Sequence, residues 1–451
     1  MILQTHTLYY NYRFFIICKR LKGCCNEIFH TFPFSIFCLL LSSFFFFPLS
    51  VLSQTFSLYD CYEKTEKNYP LIQQLALIDL SKKYNLQNVS LSWIPQLQLY
   101  GKATLQSDAP SLSVPPPINL SVDVPKDQYQ AYLQLNQIIW DGGQIRSAKK
   151  NIHATTEVQR KQNEVDIYTL RGRVNELFFG IILYDSQIEQ INVNLQELQR
   201  NLDKVISYAN LGFANESDID AVKVEQLAAQ QHIIQLCTMR EAFVEMLAVF
   251  IGEKLTPDVV LQIPEIGLVP EINNRLELQL FDAFVDVQKI QNTHIFAKNM
   301  PKVGFFVQGG FARPGLNMFD TDGKFYAIGG IQLNWQFGNL YTVKNEKRMI
   351  EININSIEVN RKVFLFNQSL QIQQQRAIAE QFIKLLTSDD DIINLRNNIY
   401  RASQTKTENG TMSVSDLMRD FNFENAAKAQ KIVHEIQYIK ALYDLKNLYN
   451  N

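Results

Sequence analysis

An internal duplication constrains the fold of this chain more than any single motif does. Pro95 lies 25 residues after Pro70, at the end of a segment with helical apolar periodicity, and Pro301 lies 25 residues after Leu276 in an equivalent segment. A segment with alternating side chains begins at each of these two later prolines. The sequence therefore predicts two copies of one structural unit.

Glycines and Ser-Asp pairs mark the second half of each copy. A glycine follows the second alternating segment, another glycine comes 69 or 72 residues later, and a Ser-Asp pair begins five residues after that. These landmarks are Gly143, Gly212 and Ser217-Asp218 in the first copy, and Gly338, Gly410 and Ser415-Asp416 in the second. We predict a first repeat over 54–270 and a second over 271–451. Each consists of a helix, two strands joined by a loop, and a long helical hairpin with the second glycine at its tip.

Residues 1–53 precede the duplicated part and have the pattern of a signal peptide. Basic residues come first, an apolar run covers 34–52, and the run ends in Val51-Leu52-Ser53, where a signal peptidase could cleave. A transmembrane helix needs about 20 apolar residues, and Pro48 makes this run marginal for one, so we predict cleavage near Ser53. The leader is long and no Met lies between Met1 and Met239, which leaves open a misassigned start site or a non-Met start.

Four segments of about ten residues alternate between apolar and polar side chains, as strands with two different faces do. Two of them begin after Pro95 and Pro301, and each is followed by another across a loop that contains Pro or Gly. This length suits a tilted strand that crosses a bilayer, but a half-buried soluble sheet gives the same alternation. The three Trp residues favour the membrane, because all lie at strand ends, where barrels carry aromatic girdles. They are Trp93, Trp140 and Trp335.

The predicted long helices carry heptad patterns. Apolar residues from Leu170 to Val205 follow 4,3 spacing over five heptads, and the returning limb from Ile219 to Phe250 keeps the same period. The second copy is less regular. Heptads alone would fit an ordinary coiled-coil rod, so the helices by themselves do not decide the fold class.

Strands and helices together restrict the architecture. Four strands cannot close a barrel, since about eight are needed to enclose even packed side chains. An open four-stranded sheet in lipid would leave backbone groups unpaired at its edges, at a cost of several kcal/mol each. Identical chains must therefore pool their strands. Three copies give twelve strands and four give sixteen, and closure alone leaves the number open.

This ordered set of motifs resembles the TolC-like outer-membrane efflux family. The resemblance spans residues 55–451 and depends on the order of the duplication, because none of the motifs is specific alone. The motifs are the Asn-x-Pro-Leu-Ile helix start at Asn68, the proline before each first strand, Trp140-Asp141-Gly142-Gly143, and the Ser-Asp pair after each tip glycine.

The resemblance implies a mixed α/β membrane protein. Its expected form is a trimer with a twelve-stranded transmembrane β-barrel, four strands per chain, continuous with a long periplasmic α-helical coiled-coil tunnel. The implied location is the outer membrane of a Gram-negative bacterium, in contact with its lipid. The implied function is a passive exit duct of a tripartite efflux or secretion system. The implied partners are a periplasmic adaptor (membrane fusion protein) and an inner-membrane pump of the resistance-nodulation or ABC type.

The sequence departs from the family pattern in places. Leu276 stands where the family usually has Pro, and Phe337 stands where the first copy has Gly142. Of two acidic positions that the family's best-known member has at the second tip, Asp416 occupies the first and Arg419 the second, with Asp420 beside it.

Candidate functional residues lie only at the predicted tips. Carboxylates brought around a narrow axis by symmetry would attract cations, and contacts between neighbouring helices could hold such an entrance shut. The same acids also suit the N-cap and first turn of a helix, and capping does not exclude a gate. The predicted gate residues are Gly212, Asp218, Gly410, Asp416, Arg419 and Asp420.

Other classes of function are poorly supported. The formal charge of −2 leaves no net basic field for nucleic acid. His434-Glu435 lacks the second histidine of a zinc-protease helix, and no nucleotide-binding glycine loop or serine nucleophile elbow occurs. We therefore predict no catalytic residue, cofactor or metal site.

Cys61 and Cys237 could form a disulfide if they were close. A non-conducting periplasmic scaffold or adaptor, anchored by the N-terminal apolar segment, is the alternative function.

Overall fold

A computed structural model describes residues 55–114, 116–117, 120–265, 267, 272–317 and 320–450. The predicted signal peptide over 1–53 and the predicted repeat boundary at 270/271 lie outside the described residues. Both therefore stay predictions.

The first half of the chain has two short helices, a pair of long strands and a long helical hairpin. Its elements are β1 Thr55–Phe56, α1 Leu58–Asn68, α2 Leu71–Leu91, β2 Gln96–Leu105, β3 Ser111–Val114, β4 Leu120–Asp123, β5 Asp127–Trp140, α3 Gln144–Tyr168, α4 Leu170–Asn210 and α5 Glu216–Ile251.

The second half repeats this order from one helix onward. Its elements are β6 Val260–Leu261, α6 Leu276–Lys298, β7 Lys302–Arg313, β8 Lys324–Asn334, a 3-10 helix Phe337–Tyr341, α7 Val343–Glu408 and α8 Val414–Tyr449. Each half thus contains a helix, two long strands and a helical hairpin.

The four long strands form one antiparallel sheet in the order β2-β5-β7-β8. The first and second halves meet in its middle, where β5 pairs with β7. A second, two-stranded sheet pairs β1 with β6 in parallel. The connection between β2 and β5, predicted from the sequence as a loop, contains the hairpin β3-β4. Both four-residue strands alternate in the sequence, but the three prolines between them are typical of a loop.

The main hydrophobic core lies among the helices. Helices α1, α4, α5 and α8 and the β1-β6 pair contribute to it, with Phe178, Ile181 and Leu247 fully enclosed. Most of the predicted heptad positions of α4 are buried here or in a second cluster near the hairpin tips. Each buried Leu, Ile or Phe side chain contributes about 1.5–3 kcal/mol, so this packing holds the helices together.

The long helix predicted after Gly143 is interrupted once. α3 ends at Tyr168 and α4 begins at Leu170, with Thr169 between them in a helical conformation. The Thr169 hydroxyl donates a hydrogen bond to the backbone oxygen of Asp166 at 2.7 Å. In the second half, α7 runs without interruption for 66 residues, about 100 Å.

A tight turn built by Asp141, Gly142 and Gly143 connects the sheet to α3. The buried Asp141 carboxylate accepts hydrogen bonds from the backbone N–H groups of Gly143 at 2.8 Å and Ile145 at 2.6 Å. Both glycines have positive φ, +71° and +91°. A Cβ added at Gly142 would lie 2.6 Å from the Met300 Cβ, so only glycine fits there. The second half, which has Phe337 at this position, uses the 3-10 helix instead.

Cys61 and Cys237 are both free thiols. The disulfide that the sequence left open is therefore not formed. Cys61 is buried in the main core, and that burial raises the pKa of its thiol to about 12. It thus packs as a small apolar side chain.

The turn of Asp141, Gly142 and Gly143 allows a test with two adjacent substitutions, which should lower the midpoint of thermal unfolding by different amounts. Gly143→Ala places a Cβ in open space and adds only backbone strain, about 1–2 kcal/mol for an L-residue in the left-handed region. Gly142→Ala adds the same strain and also the collision with Met300, so its midpoint of thermal unfolding should fall further. Circular dichroism of the detergent-solubilised variants measures both midpoints. Equal midpoints for the two variants would contradict this account of the turn.

Candidate functional site

The two faces of the four-stranded sheet differ sharply in chemistry. The strand register brings one set of alternating residues together on one face and the other set on the opposite face. The apolar face contains Leu97, Leu99, Ala103, Leu105, Tyr129, Ala131, Leu133, Leu135, Phe305, Val307, Phe311, Phe325, Ala327, Ile331 and Leu333. The polar face contains mainly Gln, Asn, Tyr, Thr and Lys, such as Gln98, Gln130, Gln134, Gln308 and Asn334.

The apolar face is the more exposed of the two. Along β5 and β7 the apolar side chains are exposed at several positions where their polar neighbours are half-buried. Leu99 and Ile331 are each 76% exposed and Phe325 is 86% exposed. Neither described core cluster includes a residue of this sheet. A contiguous apolar surface of this extent marks an interaction surface, so this face requires an apolar environment beyond the chain itself.

The polar face is internally hydrogen-bonded and contains a recess. The side-chain amides of Gln130 and Gln308 both donate to the Tyr326 hydroxyl oxygen, at 2.9 and 2.7 Å. Tyr100 and Tyr132 stack with ring centroids 5.0 Å apart. Gln130, Gln308 and Tyr326 line a recess of about 190 Å³ together with Lys102, at the end of the sheet nearest the β7-β8 loop. The polar side chains thus cover one another on this face of the sheet.

All three Trp residues lie at the same end of the sheet, next to the helices. Trp93 precedes β2, Trp140 ends β5 and Trp335 follows β8. The Trp335 indole N–H donates to the backbone oxygen of Asn299 at 3.1 Å. The opposite end is marked by the Asp127–Arg313 ion pair at 3.0 Å. This confirms the predicted placement of Trp residues at strand ends and adds that they share one edge.

The apolar face has the height of a membrane barrel's apolar band. From Phe325 to Trp335 a strand rises about 34 Å at about 3.4 Å per residue. A tilt of about 40° lowers this to roughly 26 Å, close to the 25 Å of outer-membrane barrels.

Both outer strands of the sheet have an open edge. Within the described residues, β2 pairs only with β5, and β8 pairs only with β7. The directions of the four strands alternate, so β8 of one copy and β2 of the next would run antiparallel. A ring of copies could therefore continue the same hydrogen-bonding pattern at every junction.

The long helices also have uncovered apolar positions. An apolar seam on α7 is formed by Val359, Val363, Phe366 and Leu370, and each is more than half exposed in the single chain. Their spacing of 4, 3 and 4 places them on one side of the helix. Exposed residues at this spacing predict a helix-packing partner outside the chain.

The two hairpin tips have the same backbone design. Each long helix ends in a Schellman motif with a glycine in the left-handed region, Gly212 at φ +78° and Gly410 at φ +68°. The N–H of Phe213 bonds to the Tyr208 oxygen at 2.8 Å, and the N–H of Thr411 bonds to the Lys406 oxygen at 2.9 Å. The repeated glycine spacing therefore reflects one turn used twice.

The N-cap of each returning helix lies two residues before the Ser-Asp pair that the sequence highlighted. Asn215 caps α5, and Ser413 caps α8. Asp218 completes a capping box by accepting from the Asn215 N–H at 3.0 Å. Asp416 accepts from the Ser413 hydroxyl at 2.7 Å. Both aspartates are thus third residues of a helix whose positive dipole end stabilises them.

The remaining predicted tip residues connect to Asp416. Arg419 forms an ion pair with Asp416 at 2.9 Å and approaches Asp420 at 3.7 Å. Asp420 is largely buried and accepts from the Ser403 hydroxyl at 2.6 Å. The structure therefore brings Asp416, Arg419 and Asp420 together, with Asp218 on the neighbouring tip.

Contacts between the hairpins hold the two tips side by side. The Asn201 amide donates to the Tyr400 hydroxyl at 2.9 Å, and Lys204 pairs with Glu408 at 3.1 Å. Burial raises the pKa of Tyr400 to about 12, so its hydroxyl stays protonated at neutral pH. Sequence reasoning missed this connection, because no motif marks a single Asn or Tyr within a heptad pattern.

One histidine, His434, lies in a packing contact between α7 and α8. His434 Nδ1 lies 2.6 Å from an Asp389 carboxylate oxygen, and both side chains are buried. In the described part of the chain, no three His, Cys, Asp or Glu residues are grouped as a metal site would require. Among the described helices, none has both the length and the apolar content to cross a membrane.

No family model matches this sequence, and no curated protein matches it significantly. Several solved structures do match it. The structure of the outer-membrane channel OprN matches with a TM-score of 0.62 at 13% identity, covering 87% of this chain and 90% of that one. The Campylobacter jejuni CmeC outer membrane channel matches with a TM-score of 0.60 at 11% identity, covering 87% and 85%.

The open-state Neisseria gonorrhoeae MtrE outer membrane channel matches with a TM-score of 0.58 at 12% identity, covering 87% of this chain and 89% of that one. The chain has the fold of these outer-membrane channels. The match extends over most of the chain, so the sheet and the helical hairpins belong to one channel-like fold.

Proposed function

We propose that this protein is a TolC-like outer-membrane channel that serves as the exit duct of a tripartite efflux or secretion system. The observation that carries the proposal is the four-stranded sheet, whose apolar face is uncovered and whose two edges are open. In a channel wall, lipid covers the apolar face, neighbouring copies cover the edges, and the polar face lines water. The shared fold with outer-membrane channels supports this reading of the sheet.

The proposed assembly is a homotrimer. Three copies supply twelve strands, and the alternating strand directions allow antiparallel pairing from β8 of one copy to β2 of the next. The exposed apolar seam of α7 then packs against a neighbouring copy, and the helices form a tunnel below the barrel. The TolC-like resemblance favours three copies over four, since closure accepts either number.

The proposed duct is passive. It has no catalytic step, cofactor or metal in its mechanism, so the energy for transport comes from an inner-membrane pump of the resistance-nodulation or ABC type. A periplasmic adaptor connects that pump to the helical tunnel. The proposed location is the outer membrane of a Gram-negative bacterium, which the protein reaches after removal of its signal peptide.

The hairpin tips are the proposed periplasmic entrance. Symmetry would bring Asp416 and Asp218 of each copy around the axis, with Arg419 and Asp420 beside them. In a single chain Arg419 holds Asp416 through an exposed ion pair, which is worth about 0.2–1 kcal/mol. An interaction this weak could exchange between copies when the entrance opens.

The two faces of β8 allow a direct test of lipid contact. Ile331→Arg places a charge on the apolar face, where arginine near the midplane of a barrel costs about 2–4 kcal/mol. We expect this variant to yield less folded protein in the outer-membrane fraction. Gln332→Arg is the matched control, because it adds the same side chain one residue away on the polar face. Gel mobility of unheated samples measures the folded fraction.

A soluble sheet would give a different result. If the apolar face met no lipid, Ile331→Arg would be tolerated as well as Gln332→Arg, since Ile331 is already 76% exposed. Equal folded fractions in the outer membrane would therefore contradict the proposed channel wall.

We expect the conductance of the channel to change when the negative charge of Asp416 at the tip is removed. Asp416→Asn keeps an oxygen that can accept from Ser413, but it removes the negative charge and the ion pair to Arg419. We expect a higher single-channel conductance in planar bilayers if the ion pair holds the entrance shut, and a weaker preference for cations there. Asp220→Asn removes a charge from the exposed part of α5 as a control. Unchanged conductance and cation preference in Asp416→Asn would remove the gate from the proposal.

A further inference from the structure

The charged residues on the polar face of the sheet all have one sign. In the four long strands, this face contains Lys102, Lys302 and Lys324 and no Asp or Glu. The only carboxylate within these strands is Asp127, which lies at the rim in register with the apolar set and pairs with Arg313. The imbalance is local, because the whole chain has a formal charge of −2.

Two of the three lysines keep their charge uncompensated. Lys324 pairs with Asp320 of the β7-β8 loop. Lys102 and Lys302 form no ion pair with any residue that the structure describes. Each copy therefore contributes two uncompensated positive charges to this face, one on β2 and one on β7.

Lys102 lies in a recess that favours an anion. The Tyr326 oxygen already accepts hydrogen bonds from the Gln130 and Gln308 amides, so its own O–H must donate elsewhere. Lys102 lines the same recess and stands opposite Gln130 in the register. An ammonium group, a hydroxyl donor and amide N–H groups are the donors with which proteins bind negative groups.

We infer that the sheet of this protein forms a cationic lumen that favours negatively charged solutes over cations. The inference rests on the proposed function, because it requires the polar face to line a water-filled barrel. It concerns the barrel alone, so it is separate from the acidic tips at the other end of the chain. It also assigns a chemical class, anionic solutes, to the cargo that this part of the duct passes most readily.

The size of the proposed barrel makes these charges effective across its width. Twelve strands at about 4.8 Å spacing and a tilt of about 40° give a backbone diameter of about 24 Å. Lysine side chains extend inward from that wall. The Debye length at physiological ionic strength is about 8 Å, so rings of ammonium groups influence ions at the axis.

The experiment measures ion selectivity in planar bilayers with a potassium chloride gradient across the membrane. The wild-type channel should be compared with the Lys102→Gln/Lys302→Gln double variant, which keeps long polar side chains but removes both charges. We expect the permeability ratio of chloride to potassium to fall by about twofold or more, since the lumen potential acts on the two ions in opposite directions. The tips are identical in both proteins, so they cannot cause the difference.

Two further variants make the result specific. Lys102→Glu/Lys302→Glu should lower the ratio beyond the Gln variant, because it reverses the charges. Lys254→Gln removes one lysine charge from the α5-β6 loop, outside the sheet, and should leave the ratio unchanged. Circular dichroism and the gel mobility of unheated samples confirm that each variant is folded and assembled.

The outcomes separate this inference from the function on which it rests. A chloride-to-potassium permeability ratio that falls in the order wild type, Gln variant, Glu variant supports a cationic lumen. Conducting channels whose permeability ratio is the same in wild type and the Glu variant would overturn the inference and leave the proposed duct intact. Absence of conductance in every assembled variant would refute the proposed duct, and the inference with it.

Discussion

Backbone hydrogen bonding at the two open edges of the four-stranded sheet is the constraint on which the rest of the structure depends. β2 and β8 each present a row of N–H and C=O groups without partners in the described sheet. In water such an edge promotes association, and in lipid it is not tolerated at all. One face of this sheet is apolar and exposed, so we place the sheet in lipid. Water is absent there, and the backbone groups of both edge strands need hydrogen-bond partners from another strand. Copies of the same chain satisfy that requirement with the strand directions already present.

The helices, like the sheet, have apolar surface that one chain alone does not cover. Within one chain, α4 buries most of its heptad positions against α1, α5 and α8. In contrast, α7 has only six buried residues along 66. A helix about 100 Å long with so little of its surface covered is stable only if something packs against its exposed seam. In the proposed trimer, a neighbouring copy supplies that partner.

Much of this organisation could be predicted from the sequence. Alternation located the four long strands, because one mainly apolar face produces a period of two from Leu97 to Leu105 and from Phe325 to Leu333. The heptads located α4 for the same reason. The glycine pattern located both tips, since the Schellman turn requires positive φ at Gly212 and Gly410. These features depend on neighbouring residues, which a sequence displays directly.

Features that depend on distant residues could not be predicted. The pairing of β5 with β7 joins the two halves, and no local pattern specifies it. The Asn201–Tyr400 bond between hairpins and the Gln130–Tyr326–Gln308 group on the polar face link residues far apart in the chain. The N-caps are Asn215 and Ser413, two residues before the Ser-Asp pairs, although Ser217 and Ser415 have equally suitable cap chemistry. The position of each N-cap is set by where the preceding glycine turn ends.

The mass of the processed protein, extracted from membranes and measured by native mass spectrometry, tests the central claim most directly. The account predicts a detergent-dependent particle with three copies of the chain, because one copy leaves both sheet edges and the α7 seam uncovered. A folded monomer that stays in solution without detergent would contradict it, since such a particle would show that a single chain can satisfy its own edges and apolar face.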